Sequence, residues 1–268
     1  MLAYDPHGYR CCQHNVSHGW PYYVEELWLA TPDNGLCASL YSASEVEAKV
    51  GDGTTAKIVE ETGYPFRDTV RFTVSTPKEV RFPLYLRIPR WCEGAKVSVN
   101  GKPVVVRPNP SQYVLLDRAW EPNDRVDLQL PMALKATVWE NNHNCVSLDR
   151  GPLTYSLKIG ERWERYGGTD EWPAFEVFPT TPWNYGLEID PANPAASIEV
   201  VEKPGAVAGQ PFTLDAAPVE LRARVRKIPE WKLDAGLVGK LQPSPAKTTE
   251  PLETVTLIPL GCARLRIS

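Results

Sequence analysis

Cysteine is scarce in this chain, long hydrophobic runs are missing, and neither sign of charge is gathered into a block. Six cysteines in 268 residues are too sparse for the disulfide scaffold of a small secreted domain. No stretch approaches the roughly 18 consecutive apolar residues of a membrane-spanning helix. The opening Met1-Leu2-Ala3-Tyr4-Asp5 lacks the basic and apolar regions of a signal peptide. A longer gene could carry such a signal upstream, so the compartment stays open. The net charge is −4 with both signs interspersed. That balance excludes the basic stripe of a nucleic-acid surface and the polybasic cluster of a membrane anchor. A phosphate-binding glycine loop, a nucleophile elbow, a dinucleotide fingerprint and an internal repeat are all missing as well. Gly51-Asp52-Gly53 has none of the remaining ligands of a calcium loop.

What the chain does have is a strand rhythm. With 43% apolar residues it can bury the core of one large all-β unit or of two sandwich domains. Val80, Phe82, Leu84, Leu86 and Ile88 alternate with Arg81, Pro83, Tyr85 and Arg87, a period of two with one face buried. Val97 and Val99 run into Asn100-Gly101 before Val104 and Val106, a hairpin signature. Val126, Leu128 and Leu130 alternate with polar residues, as do Val219, Leu221, Ala223 and Val225, and Leu265 and Ile267 at the end. Further strands are predicted near 36–41, 45–50, 69–75, 113–117, 145–149 and 153–157. Many short strands separated by turns predict antiparallel β-sandwiches.

One helix interrupts this rhythm. Val16, Trp20, Tyr23, Val24 and Leu27 form an apolar helical face. Pro21 lies inside that face and predicts a kink or restart. Thr31-Pro32-Asp33-Asn34-Gly35 then stops the helix. So wide an apolar face needs a packing partner, which a helical domain preceding residue 1 would supply. The stretch 160–212, with Trp163, Trp172, Phe175, Phe178, Trp183 and Tyr185 among prolines, reads as an aromatic loop followed by a connector. Its rings, Trp183 among them, either stack on sugar or pack a proline-rich loop.

Reactive side chains concentrate at the start. Cys11, Cys12, His14 and His18 fall within eight residues, with His7 just before them. Thiolate and imidazole are the ligands zinc prefers, although the spacing is not that of a zinc finger. The alternative is a pair of buried cysteines beside a helix start. Cys37, Cys92, Cys145 and Cys262 stand singly in or beside apolar runs and read as core residues. Glu25 and Glu26 on the nearby helix point in different directions and read as solvated. Asn15-Val16-Ser17 fits a glycosylation acceptor but lies inside the helix, where it is idle.

Tyr9-Arg10-Cys11-Cys12-Gln13-His14-Asn15 followed by a helix resembles the Cys-Cys segment of glycoside hydrolase family 127, the β-L-arabinofuranosidases. Leu86-Arg87-Ile88-Pro89-Arg90-Trp91, Val99-Asn100-Gly101, Leu128-Gln129-Leu130-Pro131-Met132, Arg150-Gly151-Pro152-Leu153-Thr154-Tyr155, Thr181-Pro182-Trp183-Asn184-Tyr185 and Val255-Thr256-Leu257-Ile258-Pro259-Leu260-Gly261 extend the resemblance in order to the C-terminus. It implies an (α/α)6 barrel that carries the active site and lies before residue 1, followed by β-sandwiches. It also implies a retaining hydrolase of arabinose-containing glycans with a zinc-bound cysteine nucleophile, Cys11, and Cys12 as a second zinc ligand. The remaining zinc ligands and the acid/base glutamate would come from the barrel, so the chain by itself would be inactive. His14 departs from the family pattern and either contacts substrate or lines the helix start.

The domain organisation that follows is an end of the helical catalytic barrel at 1–34 and a β-sandwich at 35–158. The aromatic loop and connector occupy 159–212, and 213–268 supplies strands completing a sandwich. Two other readings remain: a non-catalytic carbohydrate-binding or scaffold module, and a structural zinc protein. The oligomeric state is not legible.

Overall fold

A computed structural model describes residues 11–105 and 109–267, leaving aside the side chains of Gln13 and His14. The fold separates into two compact units, with the division falling between Ala133 and Leu134.

The N-terminal unit begins with helices α1 (Cys11–Asn15) and α2 (Gly19–Glu25), joined by a 3-10 turn at Val16–His18. Ten strands follow: β1 (Trp28–Ala30), β2 (Leu36–Ala38), β3 (Ser44–Val50), β4 (Thr54–Thr62), β5 (Thr69–Ser75), β6 (Val80–Arg87), β7 (Lys96–Val99), β8 (Lys102–Pro103), β9 (Tyr113–Trp120) and β10 (Asp124–Gln129). They form a four-stranded sheet in the order β1-β2-β6-β9 and a six-stranded sheet in the order β3-β4-β5-β10-β7-β8. All neighbours are antiparallel except β2 and β6, which run parallel with Leu36 opposite Leu84. The inward residues of both sheets share one core, in which Ile58, Phe72, Phe82, Leu84, Leu86, Trp120 and Leu128 are fully buried. The indole of Trp120 donates to the Phe82 carbonyl at 2.9 Å, so its one polar atom is satisfied inside that core.

The Asn100-Gly101 turn connects β7 and β8 as the sequence predicts. Both residues have positive φ, 50° and 75°, as a two-residue hairpin turn of this hand demands. Asn100 also stitches the turn to β10: its amide donates to Asp124 at 2.6 Å and its carbonyl accepts from the Arg125 backbone at 2.8 Å. Gly51-Asp52-Gly53 is the β3–β4 hairpin turn. Asp52 accepts from the Thr54 backbone at 3.1 Å and from Lys78 at 2.7 Å.

The C-terminal unit holds β11 (Leu134–Trp139), β12 (Cys145–Arg150), β13 (Leu153–Leu157), β14 (Glu161–Gly168), β15 (Pro173–Pro179), β16 (Tyr185–Leu187), β17 (Ile198–Glu202), β18 (Val219–Lys227), β19 (Leu233–Asp234), β20 (Leu237–Val238) and β21 (Leu252–Pro259). One antiparallel sheet runs β11-β12-β13-β21-β18-β16, with β17 also on β18, while β14–β15 and β19–β20 are separate hairpins.

The fold is mainly antiparallel β with short N-terminal helical elements, as the strand rhythm implies. Three details differ from the sequence reading. Strands β11–β13, grouped above with residues 35–158, lie in the C-terminal unit. The supposed aromatic loop contains the β14–β15 hairpin, hidden because β14 is exposed along most of its length and β15 is mostly half-buried, which blurs apolar alternation. The tail at Leu265–Ile267 forms no strand, although Ile267 accepts a backbone bond from Leu157 at 2.9 Å. Among the described residues no helix is long and apolar enough to cross a membrane.

Candidate functional site

The Cys-Cys segment takes its shape from Pro21. A proline lacks the N–H that would bond the carbonyl four residues back, here Ser17. The helix tightens into the 3-10 turn at Val16–His18 and restarts as α2. Cys11 and Cys12 both stand on α1, exposed and unbridged. The Asn15 side-chain amide folds back on the first of them, donating to the Cys11 carbonyl at 2.8 Å and approaching its Sγ at 3.6 Å. That contact places a hydrogen-bond donor beside the sulfur.

The other cysteines differ in kind. Cys37, Cys92 and Cys262 are buried and Cys145 is half-buried. Burial raises the Cys37 and Cys262 thiols and pushes Cys92 up to about 11. These are the inert core residues that the sequence suggests.

The apolar face of the helical segment is open. Val16, Trp20 and Val24 are 75%, 68% and 62% exposed, and the segment is fastened to its sandwich at one end. Leu27 is buried, and the Tyr23 hydroxyl donates to the Tyr41 carbonyl at 3.3 Å. Glu25 and Glu26 are exposed, as expected. Strand β1 begins at Trp28, whose indole donates to Ser44 Oγ at 3.1 Å and whose ring meets Phe72 edge-on at 5.8 Å.

Beneath this attachment lies a carboxyl group that the sequence reading passes over. Glu60 in β4 is 2% exposed. It accepts from the Ser42 backbone at 3.0 Å and from Ser44 Oγ at 3.3 Å. Desolvation pushes its pKa up to about 8, more than these two hydrogen bonds lower it. Tyr41 and Tyr64, packed edge-to-face at 6.0 Å, are raised for the same reason. Tyr23 is raised by burial and then by the charge of Glu60. The signal was present in β4, where Ala56, Ile58 and Glu60 share the inward positions: a carboxylate stands where a third apolar residue belongs. So α2, which follows the cysteine-bearing helix, is seated through Tyr23 on an aromatic cluster with a buried acid of raised pKa at its base.

A metal fits the described residues poorly. Among them no group of three or more His, Cys, Asp or Glu side chains is arranged to hold a metal ion. Cys11 and Cys12 supply two sulfurs, whereas a zinc site needs at least three protein ligands. His18 is exposed in the 3-10 turn, and His7 and the His14 side chain lie outside the described residues.

Trp183 is in the C-terminal unit, where it lines a cavity of about 520 Å³. Its ring stands edge-on to Trp231 at a centroid distance of 5.3 Å.

Residues 35–132 match the family model described as β-L-arabinofuranosidase, GH127 middle domain. A crystal structure of a GH127 β-L-arabinofuranosidase from Geobacillus stearothermophilus T6 is similar with a TM-score of 0.64 and 25% identity, over 96% of this chain and 36% of that one. A protein described as a glycoside hydrolase gives 0.60 and 22% over 97% and 41%, and a GH127 β-arabinofuranosidase gives 0.62 and 21% over 94% and 36%. At those lower identities the likeness concerns the fold. The chain spans between a third and a half of the length of each of these proteins. No curated protein matches it in sequence.

Proposed function

Starting from a chain whose residues 35–132 match the GH127 middle domain, we propose that it is part of a retaining glycoside hydrolase acting on arabinose-containing glycans, with Cys11 as the nucleophile. The observation that carries the reading is the contrast among the thiols. Cys11 is exposed and has the Asn15 amide at 3.6 Å from its sulfur, while three of the remaining cysteines are buried.

The reaction needs the Cys11 sulfur and one carboxyl group from outside the described residues. The Cys11 thiolate attacks the anomeric carbon, a C–S bond forms, and the glycosidic C–O bond breaks. Its electron pair leaves with the aglycone oxygen, which takes a proton from a carboxylic acid. The resulting carboxylate then removes a proton from water. That water displaces the sulfur, regenerating the thiolate and giving net retention through two inversions. The acid/base carboxyl is not assigned to any described residue. Glu25 at the end of α2 and Glu26 just beyond it are exposed, and the residues of this chain alone give no turnover in this proposal. Zinc on Cys11 and Cys12 belongs to the same resemblance. It would hold the first sulfur as thiolate, but it requires ligands beyond the described residues, and no step above depends on it. His14 contributes to substrate binding or to the helix start.

The test uses a full-length protein containing this chain and an aryl β-L-arabinofuranoside. Cys11→Ala is expected to reduce turnover by at least about 10³-fold, the scale seen when a covalent nucleophile is removed. Peptide mass spectrometry after brief reaction should find the pentosyl group on Cys11 and not on Cys12. Undiminished turnover in Cys11→Ala overturns the assignment.

A further inference from the structure

The cavity in the C-terminal unit is a built enclosure. Its floor is the inner face of the main sheet, with Tyr155 and Leu157 from β13, Val225 from β18 and Leu257 from β21. Its roof is made by loops that are individually pinned. The Ile228 backbone donates to the Asn184 carbonyl at 2.8 Å and the Asn184 amide donates back to the Ile228 carbonyl at 2.9 Å. This reciprocal pair locks together the loops carrying Trp183 and Trp231. The Trp231 indole donates to the Gly239 carbonyl at 3.2 Å, and Ser244 N–H to the His143 carbonyl at 2.9 Å. The last bond ties the proline-rich cover, Pro243 to Ala246, to the β11–β12 turn.

The chemistry of the walls is selective. Val146, Leu148, Leu187, Ile189, Val255 and Ile267 line the space with the aromatic residues. The charges that reach it are already matched: Arg226 bonds Glu188 at 3.0 Å and also the Glu250 carbonyl. An anion or a cation would have to compete with that partly exposed pair while facing walls that are otherwise mainly apolar. Sugar recognition asks for an open aromatic face ringed by hydrogen-bonding groups, but here Trp183 and Trp231 pack on each other edge-to-face and aliphatic side chains surround them. The volume, about 520 Å³, falls within the range of small-molecule pockets, roughly 300–1,000 Å³.

We propose that this cavity is a binding site for a neutral, largely apolar ring compound, walled by Trp183, Trp231 and the β13–β21–β18 face. The site rests on the C-terminal unit alone and not on the hydrolase reading, and its test involves no turnover. The Asn144 amide and the side-chain oxygen of Gln242, whose NH2 already donates to the Lys240 carbonyl, are among the wall groups that can orient a single polar substituent.

The probe is N-phenyl-1-naphthylamine, an uncharged two-part aromatic, titrated into the full chain and followed by its own fluorescence and by energy transfer from tryptophan. Saturable binding at one site per chain is expected. Val138 lines the cavity yet is exposed, so Val138→Trp plugs the opening from the surface and should weaken binding at least tenfold with unchanged circular dichroism. Trp183→Ala is the second variant, with reduced affinity and reduced energy transfer expected. Non-saturable binding, or equal affinity in Val138→Trp and Trp183→Ala, overturns the site. Displacement of the probe by a millimolar arabino-oligosaccharide overturns the ligand class. Failure of that sugar to compete, with loss in both variants, supports it.

Discussion

Glutamate 60 gives the most exacting test of how the cysteine-bearing segment is seated. Its carboxyl is buried, and its pKa rises from an ordinary 4.5 to about 8. In the unfolded chain the same group ionises near 4.5. Between these values the folded protein holds a proton that the unfolded chain has released, so stability falls as pH rises from about 5 to 8 and levels off above. Each unit of difference is worth about 1.36 kcal/mol, which sets a ceiling of about 5 kcal/mol on the whole effect. Glu60→Gln reproduces the neutral acid: its carbonyl can accept from Ser42 and its amide can donate to Ser44 Oγ. The variant should therefore be insensitive to pH over this window, and more stable than the parent at pH 9 by a few kcal/mol. Urea unfolding read by thiol labelling of Cys92, buried in the same unit, isolates the relevant sandwich from the rest of the chain. Parallel stability–pH curves for parent and variant would refute the argument, because the desolvated acid would then have no energetic consequence.

Other predictions concern exposure and turns. At pH 7.5 a disulfide reagent should titrate two thiols rapidly, Cys11 and Cys12, then Cys145 more slowly, with Cys37, Cys92 and Cys262 reacting only on unfolding. Peptide mapping identifies the order, and a fast-reacting Cys92 would contradict it. Gly51→Ala places a methyl group 2.3 Å from the Arg81 carbonyl oxygen at a φ of +53°, so a loss of at least about 2 kcal/mol is expected in denaturant melts.

Much of the architecture was legible because period-two alternation is a direct imprint of a sheet with one wet face. Residues 69–75 and 153–157 emerge as strands with the predicted bounds. Asn100-Gly101 turns where its backbone preference requires. Strand β4 escaped notice because its inward side chains are Ala56, Ile58 and Glu60, only one of them a large apolar group. The β14–β15 hairpin escaped because an exposed β14 and a half-buried β15 leave no clear apolar alternation. For the candidate site, the adjacent cysteines and the proline break could be read from residue types, though not the exposure of the thiols. Trp183 could be flagged as an aromatic, but its partner Trp231 is 48 positions away in sequence, a juxtaposition that no local pattern announces. Glu60 was hidden for a related reason: a glutamate in a strand reads as a solvent-facing residue until the neighbouring sheet is seen to cover it.

The parallel pairing of β2 with β6 bears on the order in which this unit assembles. The two strands lie side by side in space with the whole β3–β4–β5 meander threaded between them along the chain. Closing so long an excursion costs chain entropy before any contact rewards it. The meander needs only hairpin closures, so it forms early and draws the ends of its own excursion together. The short sheet, with the Trp28 strand at its margin and the cysteine-bearing turn just ahead, docks last and opens first. Slow exchange of amide hydrogens in β5 alongside fast exchange in β1 would be the signature of that hierarchy.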